Sequence, residues 1–126
     1  VTEEHILALI VSGLGCLQNG LTALMTAIPQ VDVVGEVGDA SQALEMVSKY
    51  HPDLVLLDTD LPGDEEWRVL RQIKVERPQT CCIVLADDVQ QQQEAETLGA
   101  DAVVLKGTPP AKLIAAIEGL LPQPEV

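Results

Sequence analysis

Short, nearly unbroken apolar runs alternate along this chain with stretches of helical periodicity. Ile6 to Val11, Asp32 to Val37, Leu54 to Asp58, Cys82 to Leu85 and Ala102 to Leu105 read as strands. Continuous runs of this kind, rather than strict apolar/polar alternation, are expected of strands buried on both faces. Helices are predicted near Leu17 to Ala27, Ser41 to Tyr50, Glu66 to Glu76, Gln91 to Leu98 and Pro110 to Leu121. The punctuation agrees, with Pro29, Pro52, Pro78 and Gly99 following helix ends and Asp39 with Gln42 forming a capping-box-like start. Five such βα units predict an α/β fold, an open parallel sheet with helices on both faces. The chain from residue 1 to 121 is expected to form one domain. Pro122-Gln123-Pro124-Glu125-Val126 (122–126) has the composition of a linker's beginning, as in a piece excised from a longer protein.

Composition narrows the picture. A length of 126 residues suits a single core, and 47% apolar residues exclude a disordered chain. With one Trp, one Tyr and no Phe, that core must be aliphatic. The net charge of −13 opposes contact with nucleic acid or anionic membranes. No apolar run approaches the roughly 20 residues of a membrane span, and no signal peptide is read, so a cytoplasmic protein is expected. Cys16, Cys81 and Cys82 form an odd set without C-x-x-C spacing, predicted to be reduced, buried thiols, the adjacent pair facing opposite sides of a strand. His5 and His51 have no partner at metal-ligand spacing, and Gln90 to Gln93 reads as a solvated helix start.

The candidate chemistry gathers at the strands' carboxyl ends, which converge on one rim in such a sheet. Ser12 and Gly13 follow the first strand, Asp58 ends the third, Ala86, Asp87 and Asp88 follow the fourth, and Lys106 follows the fifth. A lone strand-end Asp is more often a turn former or helix cap than a nucleophile. An Asp58 with a Lys106 is more specific, since the two can meet only at that rim.

Pro52-Asp53-Leu54-Val55-Leu56-Leu57-Asp58, Leu61-Pro62-Gly63, Val33-Val34-Gly35-Glu36, Gly99-Ala100-Asp101 and Leu105-Lys106 together resemble the bacterial response-regulator receiver domain, over Ile6 to Leu121. The Val-Val-Gly-Glu and Gly-Ala-Asp segments resemble receivers that precede a helix-turn-helix output domain. The resemblance implies a flavodoxin-like, five-stranded sheet in order 2-1-3-4-5 with five flanking helices. It makes Asp58 the acceptor of a phosphoryl group from a kinase histidine, Lys106 the cation on that group, and the Asp60 carbonyl, with Asp58, a Mg²⁺ ligand. Four positions depart from the pattern. Ser12 and Gly13 replace the acidic pair that holds Mg²⁺, Ala86 replaces a phosphoryl-binding Thr or Ser, and Val103 replaces an aromatic switch residue. Glu66 also stands where Gly is usual, and the segment from Ala86 to Lys106 is short.

Mg²⁺ wants an oxygen octahedron with one or two carboxylates, and phosphoryl transfer needs cations on the transferring oxygens. Without the acidic pair only Lys106 remains, and Asp60, Asp64, Asp87 and Asp88 are expected to crowd the rim with repelling charge. The expected function is therefore that of a degenerate receiver, a non-enzymatic signalling module acting through protein contacts, with no cofactor and no tightly bound Mg²⁺. Asp58 and Lys106 then persist as a buried ion pair. The alternatives are a receiver still phosphorylated at Asp58 by a histidine kinase, a dinucleotide-binding module suggested by Gly13-Leu14-Gly15 and Glu36, in which Gln18 spoils the fingerprint, and a small-ligand sensor whose cleft is opened by the small residues Ser12, Gly13, Ala86 and Val103. The resemblance implies as partners a histidine kinase or other signalling protein and a C-terminal DNA-binding domain. It implies a homodimer through the fourth helix, fifth strand and fifth helix, where the polar Gln90 to Glu96 stretch leaves assembly open. If the rim is merely stripped of its ligands, Ser12→Asp with Gly13→Asp is expected to restore a carboxylate cluster around Asp58.

Overall fold

The computed structural model describes residues 6–13, 22–61, 63 and 65–120. Five parallel strands form one sheet: β1 (Ile6–Val11), β2 (Val31–Val37), β3 (Leu54–Asp58), β4 (Cys81–Ala86) and β5 (Ala102–Leu105), in the order β2-β1-β3-β4-β5. Residues 22–26 are helical (α1), followed by α2 (Ala40–Tyr50), α3 (Glu66–Glu76), α4 (Val89–Thr97) and α5 (Pro110–Leu120). The predicted start of the first helix, Cys16, and the linker expected at 122–126 lie outside the described residues.

Strand residues alternate between two apolar layers because successive side chains leave opposite faces. Leu9, Val11, Val55, Leu57, Cys82 and Val84 pack with Ala43, Val47, Val69, Leu70 and Ile73 of α2 and α3. Ala8, Ile10, Leu54, Leu56, Ile83 and Leu85 pack on the other face with Met25, Ile28, Leu113 and Ile117, beneath α1 and α5. The two adjacent thiols divide as expected, Cys82 in the first layer and Cys81 against the second.

Two expectations need correction. The strands read as buried on both faces include β2 and β5, yet these are the sheet's edges and most of their residues are only part-buried or exposed. Lys106 therefore follows an edge strand. Cys81 is half-buried rather than buried, because β5 first pairs with β4 at Ile83 and leaves the start of β4 flanked by β3 alone. The start of α2 is capped by Asp39, whose carboxylate accepts from the Gln42 N–H at 2.8 Å, but Gln42 reaches back to the Gly38 N–H, one residue before the cap. The same device recurs unforeseen at α4, which begins at Val89: Asp88 accepts from the Gln91 N–H at 2.9 Å, and Gln91 accepts from the Asp87 N–H at 2.7 Å. Among the described residues no helix is long and apolar enough to cross a membrane.

Candidate functional site at the carboxyl ends of the strands

All five residues of β3 are buried, and Asp58, the last, is fully shielded from solvent. A carboxyl group in such a place needs hydrogen-bond or charge partners. It has both. Ser12, just past β1 and also fully buried, donates its hydroxyl to Asp58 Oδ2 at 3.0 Å. Lys106 Nζ lies 2.5 Å from Asp58 Oδ1.

Lys106 starts two strands away. Its backbone N–H donates to the Ala86 carbonyl at 2.8 Å, which extends the β4–β5 ladder by one rung beyond Leu105. From there the side chain crosses the end of β4 to reach β3, and the small side chain of Ala86 at that strand's last position leaves the crossing open. The ammonium meets two further carboxylates, Asp60 Oδ2 and Asp87 Oδ1, each at 2.9 Å. Partial burial lowers its proton affinity, but hydrogen bonds to Asp58, Asp87 and Asp60 outweigh that and raise the lysine pKa above its ordinary value. One cation thus ties the end of β3, the β3–α3 connection and the β4–α4 connection together.

The rim assembles Asp58, Lys106 and Ser12 as the strand ends suggested, and gives several positions other tasks. Ser12 stands where a carboxylate was expected to be missed, and acts as a donor to Asp58 rather than an absent acceptor. Asp60 and Asp87, expected to add repelling charge, share the ammonium instead, while Asp88 is occupied as the α4 cap. Val103 is half-buried and packs against the layer containing Ala95, beneath α4. Glu66, the first residue of α3, is buried. Asp64, Gly15 and Gln18 lie outside the described residues. The Ser12 donor and the Asp60 and Asp87 contacts with the ammonium are the roles sequence reasoning missed, and the acids immediately past the ends of β3 and β4 were the signal for the last two.

Mg²⁺ is the ion that the receiver resemblance implies, and the residues present do not fit it. The ion asks for near-octahedral oxygen at about 2.0–2.1 Å. Here one oxygen each of Asp58, Asp60 and Asp87 is turned to the lysine ammonium, and the other oxygen of Asp58 accepts from Ser12. Gly13 is hemmed in as well: a Cβ at this position would stand 2.6 Å from the Asp60 carbonyl oxygen, the atom expected to ligate the metal. That contact is with backbone, which cannot swing aside as a side chain could. A side chain at 13, as in Ser12→Asp with Gly13→Asp, therefore needs the Gly13 or Asp60 backbone to shift before it can place a carboxylate beside Asp58. Among the described residues no group of three or more His, Cys, Asp or Glu side chains is disposed to hold a metal ion.

Residues 9–118 match the family described as the response regulator receiver domain. The nitrate/nitrite response regulator NarL of Escherichia coli K12 is 26% identical over 117 residues, which cover 91% of this chain and 54% of that protein. The DNA-binding transcriptional activator DevR/DosR of Mycobacterium tuberculosis is 28% identical over 104 residues, covering 81% of this chain and 48% of that one. The chain thus spans about half the length of these curated relatives. In structure, a LuxR-family two-component response regulator from Aurantimonas superposes with a TM-score of 0.86 at 25% identity, covering 93% of this chain and 85% of its own. The receiver domain of the response regulator NarL from Mycobacterium tuberculosis gives 0.82 at 23% identity, over 92% of this chain and 95% of that one, a likeness of fold. With the strand order, the rim aspartate and the rim lysine all in place, the chain belongs to the response regulator receiver domain family.

Proposed function

We propose that this domain is the receiver module of a response regulator that signals through protein contacts, without Mg²⁺-dependent phosphorylation of Asp58. The single observation that carries this reading is the engagement of Asp58 on both oxygens from inside the protein, by Ser12 and Lys106. A phosphoryl group arriving there would meet no hydroxyl at Ala86 and no metal carboxylate at Ser12 or Gly13, and its charge would face Asp60 and Asp87. The main electrostatic aid to phosphoryl transfer is then missing. The module has no enzymatic activity of its own in this reading and binds Mg²⁺ weakly or not at all.

The partners follow from the family. A histidine kinase or another signalling protein supplies the input and a C-terminal DNA-binding domain delivers the output, a reading supported by the relative DevR/DosR, which is named a DNA-binding transcriptional activator. A charge of −13 keeps the receiver itself off nucleic acid, and in this reading the module works in the cytoplasm. Retained phosphoacceptor activity is a second reading, favoured by the survival of the Asp58–Lys106 pair at the family's position.

Incubation with acetyl phosphate or phosphoramidate and Mg²⁺, read by intact-mass spectrometry, separates the two. The proposal expects the mass of the chain to stay constant. A phosphate-sized increase that vanishes in Asp58→Asn establishes the second reading instead.

A further inference from the structure

We propose that the Lys106 ammonium is the resident cation of the rim, and that its bridge from Asp58 to Asp87 fixes the β4–α4 connection without metal or phosphoryl group. The inference rests on the reading above and adds how the domain is held in one state. Three carboxylate oxygens converge on one nitrogen at 2.5, 2.9 and 2.9 Å, one from a fully buried residue and two from partly exposed ones. One of the ammonium's three N–H groups donates to Asp60 Oδ2 at 2.9 Å, and the Asp58 and Asp87 carboxylates face the same nitrogen as ion-pair partners. Asp87 is the one residue between the end of β4 and the cap of α4. Its backbone N–H donates to Gln91, inside the first turn of α4, while its side chain reaches Lys106. Where Asp87 goes, the start of α4 follows. In the opposite direction Lys106 anchors on Asp58, which cannot move without breaking into the packed end of β3. The position of α4 relative to the sheet is thereby set by an internal ion pair of fixed charge, and the rim needs no incoming cation to set it.

Hydrogen–deuterium exchange of residues 87–92 reads the bridge directly. In the parent the amides of Asp87, Gln91 and Gln92, which have acceptors, are expected to be protected, and millimolar Mg²⁺ or beryllofluoride is expected to leave exchange over the segment unchanged. Asp87→Asn keeps the side-chain shape and, with the acid half-exposed, keeps the fold. Exchange over 87–92 should then accelerate by about two- to fivefold, the scale of a part-exposed ion pair, while α3 and β1 stay as they were. Asp60→Asn is the control, expected to leave 87–92 unchanged. Unchanged exchange over 87–92 in folded Asp87→Asn would overturn the bridge, and so would a Mg²⁺ response of that segment in the parent. Neither outcome is the phosphate adduct that would overturn the functional reading, so the two fail separately.

Discussion

Two lysines close the two ends of this sheet, and they do so with different chemistry. At the amino-terminal end Lys74 of α3 donates to the carbonyls of Pro78 and Thr80, both at 3.0 Å, and to the Asp101 carboxylate at 2.9 Å. Asp101 also accepts from the Cys82 N–H at 2.8 Å, so one cation and one anion staple α3, β4 and the approach to β5. Charge balances there. At the carboxyl-terminal end one cation faces Asp58, Asp60 and Asp87, which leaves two negative charges in excess. A staple built for stability takes neutral carbonyls as partners. A cluster with surplus like charge costs stability and is more readily understood as the remainder of a site.

The largest expected effect tests that difference. Lys106→Met strands the fully buried Asp58, and removing one partner of a buried pair costs about 3–5 kcal/mol. Adding Asp58→Asn should recover much of the loss, because the uncompensated charge goes with it. Urea denaturation of the two single variants and the double variant measures the coupling. Additive losses would mean that the pair contributes little and that the rim is held by packing.

Next comes Gly13→Ala, which tests how tightly the rim is closed. Its methyl group would fall on the Asp60 carbonyl oxygen, and a forced shift of backbone costs about 1–3 kcal/mol. Thermal unfolding should show the loss, and Ser12→Asp with Gly13→Asp should be at least as unstable and gain no Mg²⁺-dependent rise in Tm. A clear rise with Mg²⁺ would show that the connection yields and that the receiver site can be rebuilt.

Lys74→Met should cost less than Lys106→Met, about 1 kcal/mol, the scale of hydrogen bonds lost to one exposed and one part-buried carbonyl. Asp101 is partly exposed and can turn to water, which Asp58 cannot. Equal losses at the two lysines would erase the distinction between the two ends of the sheet.

The sequence carried most of this frame for identifiable reasons. Asp58 and Lys106 were legible together because both sit at the ends of apolar runs, and parallel strands bring all such ends to one rim. What lay beyond it was governed by contacts between distant backbone segments or by which way a turn sends a side chain. Gly13 against Asp60 is a backbone contact with no residue-type signature, so the sequence alone does not distinguish it from an open position. Asp87 stands one residue past a strand, where the chain turns, and nothing in its neighbours says whether it points to water or back across β4 to Lys106. The α4 cap was a different miss, since Asp88 and Gln91 repeat the spacing of Asp39 and Gln42 that was recognised. The half-burial of β2 and β5 follows from edge position, which apolar runs alone do not reveal.

The smallest effect reports on the Lys74 end alone. Cys82 lies on β4 with its N–H on Asp101, and burial pushes its thiol from 9.0 up to about 12, with Lys74 opposing the rise and Asp101 adding to it. A raised folded pKa means that the unfolded chain loses the proton first. Stability linked to this thiol is whole below pH 9.0 and drains as pH climbs toward about 12. Each pH unit inside that window removes about 1 kcal/mol, the linkage slope for one proton. Urea denaturation at pH 8 and pH 10 should show a steeper loss in the parent than in Cys82→Ala, and Lys74→Met, which takes away the charge that favours the thiolate, should keep that gap between these two pH values and extend the loss only at higher pH. No comparable change should follow from Lys106→Met, whose rim lies at the other end of β4. A thiol that titrates equally with either lysine removed would show the two ends to be electrostatically joined through the sheet.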